Sequence, residues 1–485
     1  MNLPLRELPR CLNRTSFFTK KLENWKNINT PQFMMSWAIA KLISVDHAIC
    51  TLLRAGICCR IGVVLLKKLC LISLILVGYC EFARAQTNAA IFDSAGIKNA
   101  GSGDYVEAIA NFTRAIELDP KYASAYVNRG LVKINLKDYT GAINDSTTAI
   151  GLNPQSPMGY NNRGLAKFNL SNYGDAISDY SKAIELNPQY FNAYNNRAIA
   201  KLNSKTYSEA IQDATKAIEL NSLNVNPYIT RGDARNSLKY YNDAIVDYTK
   251  AIELDSKNAN VFNNRGSAKA GLEDFNGAIA DFTMAIRLMP DAPAPYLNRG
   301  KAEFSLKKNY TNAISDINKA IELGLSSAEA YAVLGYIQND LFQFEAALKS
   351  FLISLNLDSS QDYCRFRICL IRSRVGQQEK ATQELAGYLR SLTDTAKAKW
   401  PIPIGQFLIG ALTEADFLGM AKGSSAYPKD QNGHLCEAYY YIGMKHLVAS
   451  DKTNAAEFFQ KCLDTGEKQY FEYGSAQAEL HVREN

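Results

Sequence analysis

The stretch AYNNRAIAKLNSKTYSEAIQDATKAIEL, residues 193–220, opens on an aromatic, two amides and an arginine, closes that tetrad with a small residue, and continues into a second alanine-rich segment. Its opening recurs as AYVNRG (125–130), GYNNRG (159–164), PYITRG (227–232), VFNNRG (261–266) and PYLNRG (295–300). Gly130, Gly164, Ala198, Gly232, Gly266 and Gly300 are spaced by 34 residues without a slip. An alanine follows each by 12, at Ala142, Ala176, Ala210, Ala244 and Ala278, then at Ala313 after a one-residue insertion. Another sits seven further on, at Ala149, Ala183, Ala217, Ala251, Ala285 and Ala320. Self-similarity at such a period marks a repeat architecture, in which one unit cannot bury its apolar face alone and must stack on the next.

Each unit reads as two helices, A carrying the tetrad and B reading like AISDYSKAIEL (176–186). Small residues let the helices approach closely, an aromatic such as Tyr160 or Phe262 fills the space between them, and apolar residues three and four apart in AIEL form a buried stripe. Pro120, Pro154, Pro188 and Pro290 close four of the units, where a residue that cannot continue a helix sets the turn. Looser copies flank the six, from Ala89 (Gly96, Ala108, Phe112, Ala115) and from Ala328 (Tyr331, Gly335, Ala347, Phe351).

In period and in signature positions the array resembles the tetratricopeptide repeat (TPR). The resemblance implies an all-α fold, a right-handed superhelix of about eight repeats over 86–360, followed by a degenerate repeat (361–394) and a C-terminal TPR-like hairpin with a capping helix (395–485). It also implies that the residue two before the glycine lines the concave face. That position holds Asn128, Asn162, Asn196, Asn264 and Asn298, with Thr230 the exception, and Asn161, Asn195 and Asn263 stand beside it. A side-chain amide offers two donors and an acceptor, so a row of them is expected to grip an extended peptide's backbone; a similar ladder lines the TPR arm of O-linked N-acetylglucosamine transferases. The carboxylate clamp of chaperone-binding TPRs is not expected, because neither the position six before the glycine (Ser124, Met158, Asn192, Asn226, Asn260, Ala294) nor the position three before it carries a cation.

The tetrad arginine has another partner. Arg129, Arg163, Arg197, Arg231, Arg265 and Arg299 accompany Asp145, Asp179, Asp213, Asp247, Asp281 and Asp316 in the B helix of the same repeat, and both are missing together from the first and eighth copies. Joint presence and absence point to a structural salt-bridge ladder, within a repeat or to its neighbour.

Residues 1–85 carry 12 Lys/Arg against 4 Asp/Glu, and the remainder 42 against 44, so the body of the chain has no electrostatic case for nucleic acid. Within RIGVVLLKKLCLISLILVGYCEFARAQT (60–87), cations precede a 12-residue apolar run and the small-x-small site Ala83-Arg84-Ala85, the layout of a signal peptide. The run is shorter than the ~18–20 residues of a spanning helix. Export to the periplasm or outer membrane is expected, with cytoplasmic residence the alternative. Membrane association would come only through an uncleaved leader, and the true start is expected downstream of Met1.

Near the C-terminus, Trp400-Pro401, CEAYYYIG (436–443) and FEYGSAQAEL (471–480) resemble exported bacterial TPR proteins, the envelope lipoprotein NlpI among them, which implies an envelope adaptor. Cys436 and Cys462 lie near adjoining ends of an antiparallel hairpin, either as a disulfide or as two buried thiols, while Arg365, Arg367, Arg372 and Arg374 read as a solvated face. The three histidines after residue 85 lack metal-ligand spacing, and no phosphate loop or nucleophile elbow stands out, so no cofactor, metal, small-molecule substrate or enzyme activity is expected. The expected function is a scaffold binding a segment of another protein on its concave face. The alternatives are a structural subunit of an envelope assembly or a regulatory arm for a separate enzyme.

Overall fold

The computed structural model describes residues 86–306, 310–397, 399–423 and 428–484, together with Ile72 and Ile75; the leader, its cleavage site and its cysteines lie outside this range. Among the described residues every regular element is a helix, and none is long and apolar enough to cross a membrane. Contacts divide the chain into two compact bodies, one ending at Ala193 and one beginning at Tyr194.

In the first body a helix over 86–101 pairs with Tyr105–Leu118, Ala123–Asn135 with Tyr139–Leu152, and Pro157–Asn169 with Tyr173–Leu186. In the second, Phe191–Asn203, whose first turn begins before Tyr194, pairs with Tyr207–Leu220, and Val225–Ser237 pairs with Tyr241–Leu254. Ala259–Gly271 then pairs with Phe275–Leu288, Pro293–Leu306 with Tyr310–Glu322, and Ala328–Asp340 with Phe344–Leu357. Within each body, A helices of successive repeats also touch one another, so they form a layer with a common outward face.

Close approach at the small position holds each pair together. A Cβ on Gly164 would lie 2.8 Å from the Tyr180 ring, and one on Gly266 would lie 2.7 Å from Phe282, so neither site admits a side chain without a shift. In the fourth repeat Ala198 stands for the glycine, and the facing B-helix residue shrinks to Ala214; both are fully buried. The volume at this contact is conserved by exchange across the pair.

The second body ends differently from the array. After the hairpin Asp362–Arg374/Gln378–Ser391 come three short helices, Asp394–Lys397, Ile402–Leu408 and Glu414–Gly423, then the hairpin Pro428–Val448/Lys452–Asp464 and the helix Phe471–Glu484. That last helix packs on the hairpin before it and also reaches back to the A helix Ala328–Asp340. Phe471 stacks on Tyr336 with centroids 4.3 Å apart and on Phe304 at 5.7 Å, and Ser475 donates to Asp340 at 2.6 Å.

This packing overturns the solvated reading of the arginines. Arg367 is 1% exposed; it donates to Glu472 at 2.9 Å, to Ser475 and to the Tyr440 hydroxyl, with its guanidinium 4.3 Å from the centroid of the Tyr440 ring. Arg372 is buried and paired with Glu384, Arg374 pairs with Glu479, and Arg365 lies over the Tyr388 ring at 4.0 Å. Helical spacing could not reveal that two helical faces, not one, are covered here.

Beside Arg367, burial pushes the Glu437 carboxyl up to about 8, helped by the nearby Glu472 carboxylate and opposed by donors from Tyr363 and Trp400. A carboxyl raised in the folded state contributes stability that is complete below its ordinary value of 4.5 and is lost as pH climbs towards about 8. Glu437→Gln keeps the amide oxygen for Trp400 and removes the titration. Its melting temperature is expected to exceed wild type by several degrees at about pH 8.5 and to match it at about pH 4, read by circular dichroism.

Candidate functional site

The tetrad is assembled by the A helix, and its arginine turns inward. Arg163 holds Asp179 through two bonds of 2.6 and 3.0 Å, and Arg197 holds Asp213 through 2.7 and 2.8 Å. The same fork joins Arg129 to Asp145, Arg231 to Asp247, Arg265 to Asp281 and Arg299 to Asp316, always inside one repeat. A second cation, four residues after the arginine, completes five of the six: Lys133, Lys167, Lys201, Arg235 and Lys269 lie 2.6–2.9 Å from the same aspartates. The arginine's remaining nitrogen donates back to a threonine of the preceding repeat, as from Arg129 to Thr113 and from Arg231, Arg265 and Arg299 to Thr215, Thr249 and Thr283. Asp247 is 1% exposed. A buried carboxylate of this kind persists because two cations neutralise it. The sequence reading missed the lysine and the threonine, although both recur at fixed register.

In the seventh repeat Glu303 takes the lysine's position, and burial together with Asp316 raises its carboxyl above the ordinary range. The eighth repeat replaces the charged cluster by a neutral bond of 2.7 Å from Ser350 to Gln338.

The asparagines do not form the open row expected of them. Asn161, Asn162 and Asn195 are buried, and Asn128, Asn196, Asn263, Asn264 and Asn298 are half-buried. Four of these amides tie one A helix to the previous one within the same body. Asn128 donates to Asp93 at 3.0 Å and Asn162 to the Val127 carbonyl at 3.1 Å in the first body. In the second, Asn264 donates to Asp233 at 3.0 Å and Asn298 to Asn263 at 2.9 Å. Asn161 and Asn263 also donate to their own neighbours Asn162 and Asn264 at 3.4 Å. The physical reason is reach: stacked A helices bring this position against the helix before it, where an unpaired amide would be costly. Thr230, the exception, bonds its own helix at the Asn226 carbonyl.

What the A-helix face leaves open is the next turn towards the N-terminus. Ser124, Met158, Asn192, Asn226, Asn260 and Ala294, six before each small residue, are all exposed. They share the ladder's stripe, because residues three and four apart lie on one face of a helix. The Cys436 and Cys462 sulfurs are 3.3 Å apart, both wholly buried and not joined by a disulfide. Among the described residues no group of His, Cys, Asp or Glu is arranged to hold a metal ion.

A stack of helix pairs, each stapled by an internal ion cluster, defines a repeat scaffold of the solenoid class. Tetratricopeptide repeat families match residues 102–137, 123–156, 157–190, 180–212 and 232–272. The array is thus built of tetratricopeptide repeats, a scaffold for protein–protein interaction. No curated protein matches the chain. Similar solved structures include a tetratricopeptide repeat protein from Parabacteroides merdae ATCC 43184, 18% identical over 52% of this chain and 100% of that one, with a TM-score of 0.41. Another is Pseudomonas aeruginosa pilF, 19% identical over 46% and 99%, with a TM-score of 0.41. A third is YrrB, described as a TPR protein with an unusual peptide-binding site, 22% identical over 38% and 95%, with a TM-score of 0.34.

Because the ladder amides are struts, removing them should act on stability. Asn264→Ala with Asn298→Ala removes one amide donor each from Asp233 and Asn263, and is expected to cost about 1–3 kcal/mol in urea denaturation, at roughly 0.5–1.5 kcal/mol per bond. An unchanged denaturation midpoint would return these amides to the role of open contacts.

Proposed function

We propose that the chain is an adaptor that receives a segment of another protein on the outward face of its A helices. The observation that carries this reading is the terminal helix Phe471–Glu484, which is already seated on that face. Its Phe471 packs on Tyr336 and Phe304, and its Ser475 donates to Asp340. A face that accepts one helix by aromatic stacking and a carboxylate acceptor has the chemistry to accept another segment where it stands open. The open positions in the second body include Asn226 and Asn260.

The test is capture from an envelope extract by wild type and by Asn226→Ala with Asn260→Ala. Loss of two peptide hydrogen bonds is expected to weaken capture by roughly ten-fold to a hundred-fold without moving the melting temperature. Equal capture by both would favour a structural subunit that uses other surfaces.

The leader layout supports export, and with it a disulfide between Cys436 and Cys462. Their sulfurs need to close from 3.3 Å to the ~2.0 Å of a bond. The two thiols would pass two protons and two electrons to a disulfide-bearing oxidant during folding, before both are buried. Mass spectrometry of protein from its native host is expected to show a chain beginning at Gln86 and lighter by two hydrogens. A chain retaining Met1, with both cysteines alkylated under non-reducing denaturation, would overturn the export and disulfide readings together.

A further inference from the structure

The fifth repeat breaks the array's pattern on the A-helix face. The position just after the small residue is apolar in the repeats before it, at Leu131, Leu165 and Ile199, but here it is Asp233. The carboxylate is held in place: its Oδ1 accepts from the Tyr248 hydroxyl at 2.7 Å and from the Asn264 amide at 3.0 Å. Its Oδ2 takes no hydrogen bond and is not sealed from solvent. Among the described residues no cation pairs with it, whereas Asp247 on the same hairpin has Arg231 and Arg235. Burial raises the Asp233 carboxyl, and its two donors pull it back. The pairing with tyrosine is particular to this repeat. In the third repeat the equivalent Tyr180 hydroxyl is buried without an acceptor, its A-helix neighbour being Leu165.

A second acceptor adjoins this position by register. Asn263 receives its donor from Asn298 of the following repeat, but for Asn195, its equivalent, the residue at the donor's register is Thr230, which bonds its own helix instead. Asn195 is 8% exposed, and its Oδ1 has no partner. The break thus leaves an oriented carboxylate oxygen and a spare amide oxygen on one stripe, with donors lacking. The eighth repeat shows what this register is used for, since Tyr336 occupies the same position and is the residue on which the seated helix stacks Phe471.

We infer that Asp233 is the recognition point for a lysine or arginine side chain carried by the partner segment. Resting on the A-helix-face reading above, the inference adds the partner's chemistry. The cationic donor completes the carboxylate that Tyr248 and Asn264 hold ready, and it is selected against apolar side chains because these would leave Oδ2 buried and unpaired.

The experiment is selection of a randomised dodecapeptide display library on the purified full-length protein. Wild type is expected to enrich peptides sharing a basic residue at one register. Asp233→Asn, which keeps both bonds to Oδ1, is expected to lose that enrichment. Asp233→Leu, which reproduces the Leu165 and Tyr180 pairing the array already tolerates, is a second variant should the first fold poorly. Replacing the shared basic residue of a selected peptide by norleucine is expected to weaken binding on the order of ten-fold to a hundred-fold, read by fluorescence anisotropy. Selected peptides without a common basic residue, or an enrichment unaltered by both variants, would overturn the role of Asp233 while leaving the A-helix face as a binding surface. Selection of no peptide at all would overturn both.

Discussion

The aspartate of the B helix in the six central repeats, buried and gripped by an arginine and in five of them by a second cation of its A helix, is the interaction on which the array depends. The fork geometry of the guanidinium admits one rotation of helix A against helix B. Once Arg197 and Lys201 close on Asp213, or Arg265 and Lys269 on Asp281, the residues beside the arginine have no freedom of direction. The asparagine before it is turned towards the neighbouring A helix, and the residue two after it is turned to the outward face. Removing the aspartate would leave two cations facing each other in a poorly solvated space, so the cluster is retained as a unit.

Two kinds of polar side chain therefore share one stripe with different duties. The amides of Asn162, Asn264 and Asn298 are spent between helices. The side chains one turn towards the N-terminus, such as Asn226 and Asn260, remain exposed. A ladder of amides is thus compatible with a binding face without being the binding face. Where the ladder is interrupted, at Thr230, the array gains a local surplus of acceptors that no neighbouring repeat supplies with donors.

The C-terminal part solves a different problem. Its last hairpin keeps the small-residue contact of the array, a Cβ on Gly443 falling 2.7 Å from the Phe459 ring, but its helices are joined to one another through Arg367, which brings Glu472, Ser475 and the Tyr440 hydroxyl around one guanidinium. A buried charge is held there by an ion pair, hydroxyls and aromatic faces together. The same network seats the terminal helix on the A helix of the eighth repeat, so the end of the array is finished with the chain's own segment.

The sequence alone determined the helix pairs, the 34-residue register and the residues that meet inside a pair, because these follow from a periodic pattern in which Gly164 or Ala198 must face Tyr180 or Ala214. The arginine and aspartate were legible for the same reason, since they vanish together from the first and eighth copies. Only the tertiary structure decided where the asparagine amides go, because a contact between successive repeats depends on how closely the A helices stack. Only it showed that four arginines spaced along Asp362–Arg374 are covered rather than solvated: Arg372 and Arg365 meet Glu384 and the Tyr388 ring of the adjoining helix, while the partners of Arg367 and Arg374, Glu472 and Glu479, are more than a hundred residues distant. Short-range periodicity records which face of a helix is buried against its hairpin partner. It holds no record of a helix that returns from the far end of the chain to bury the other face.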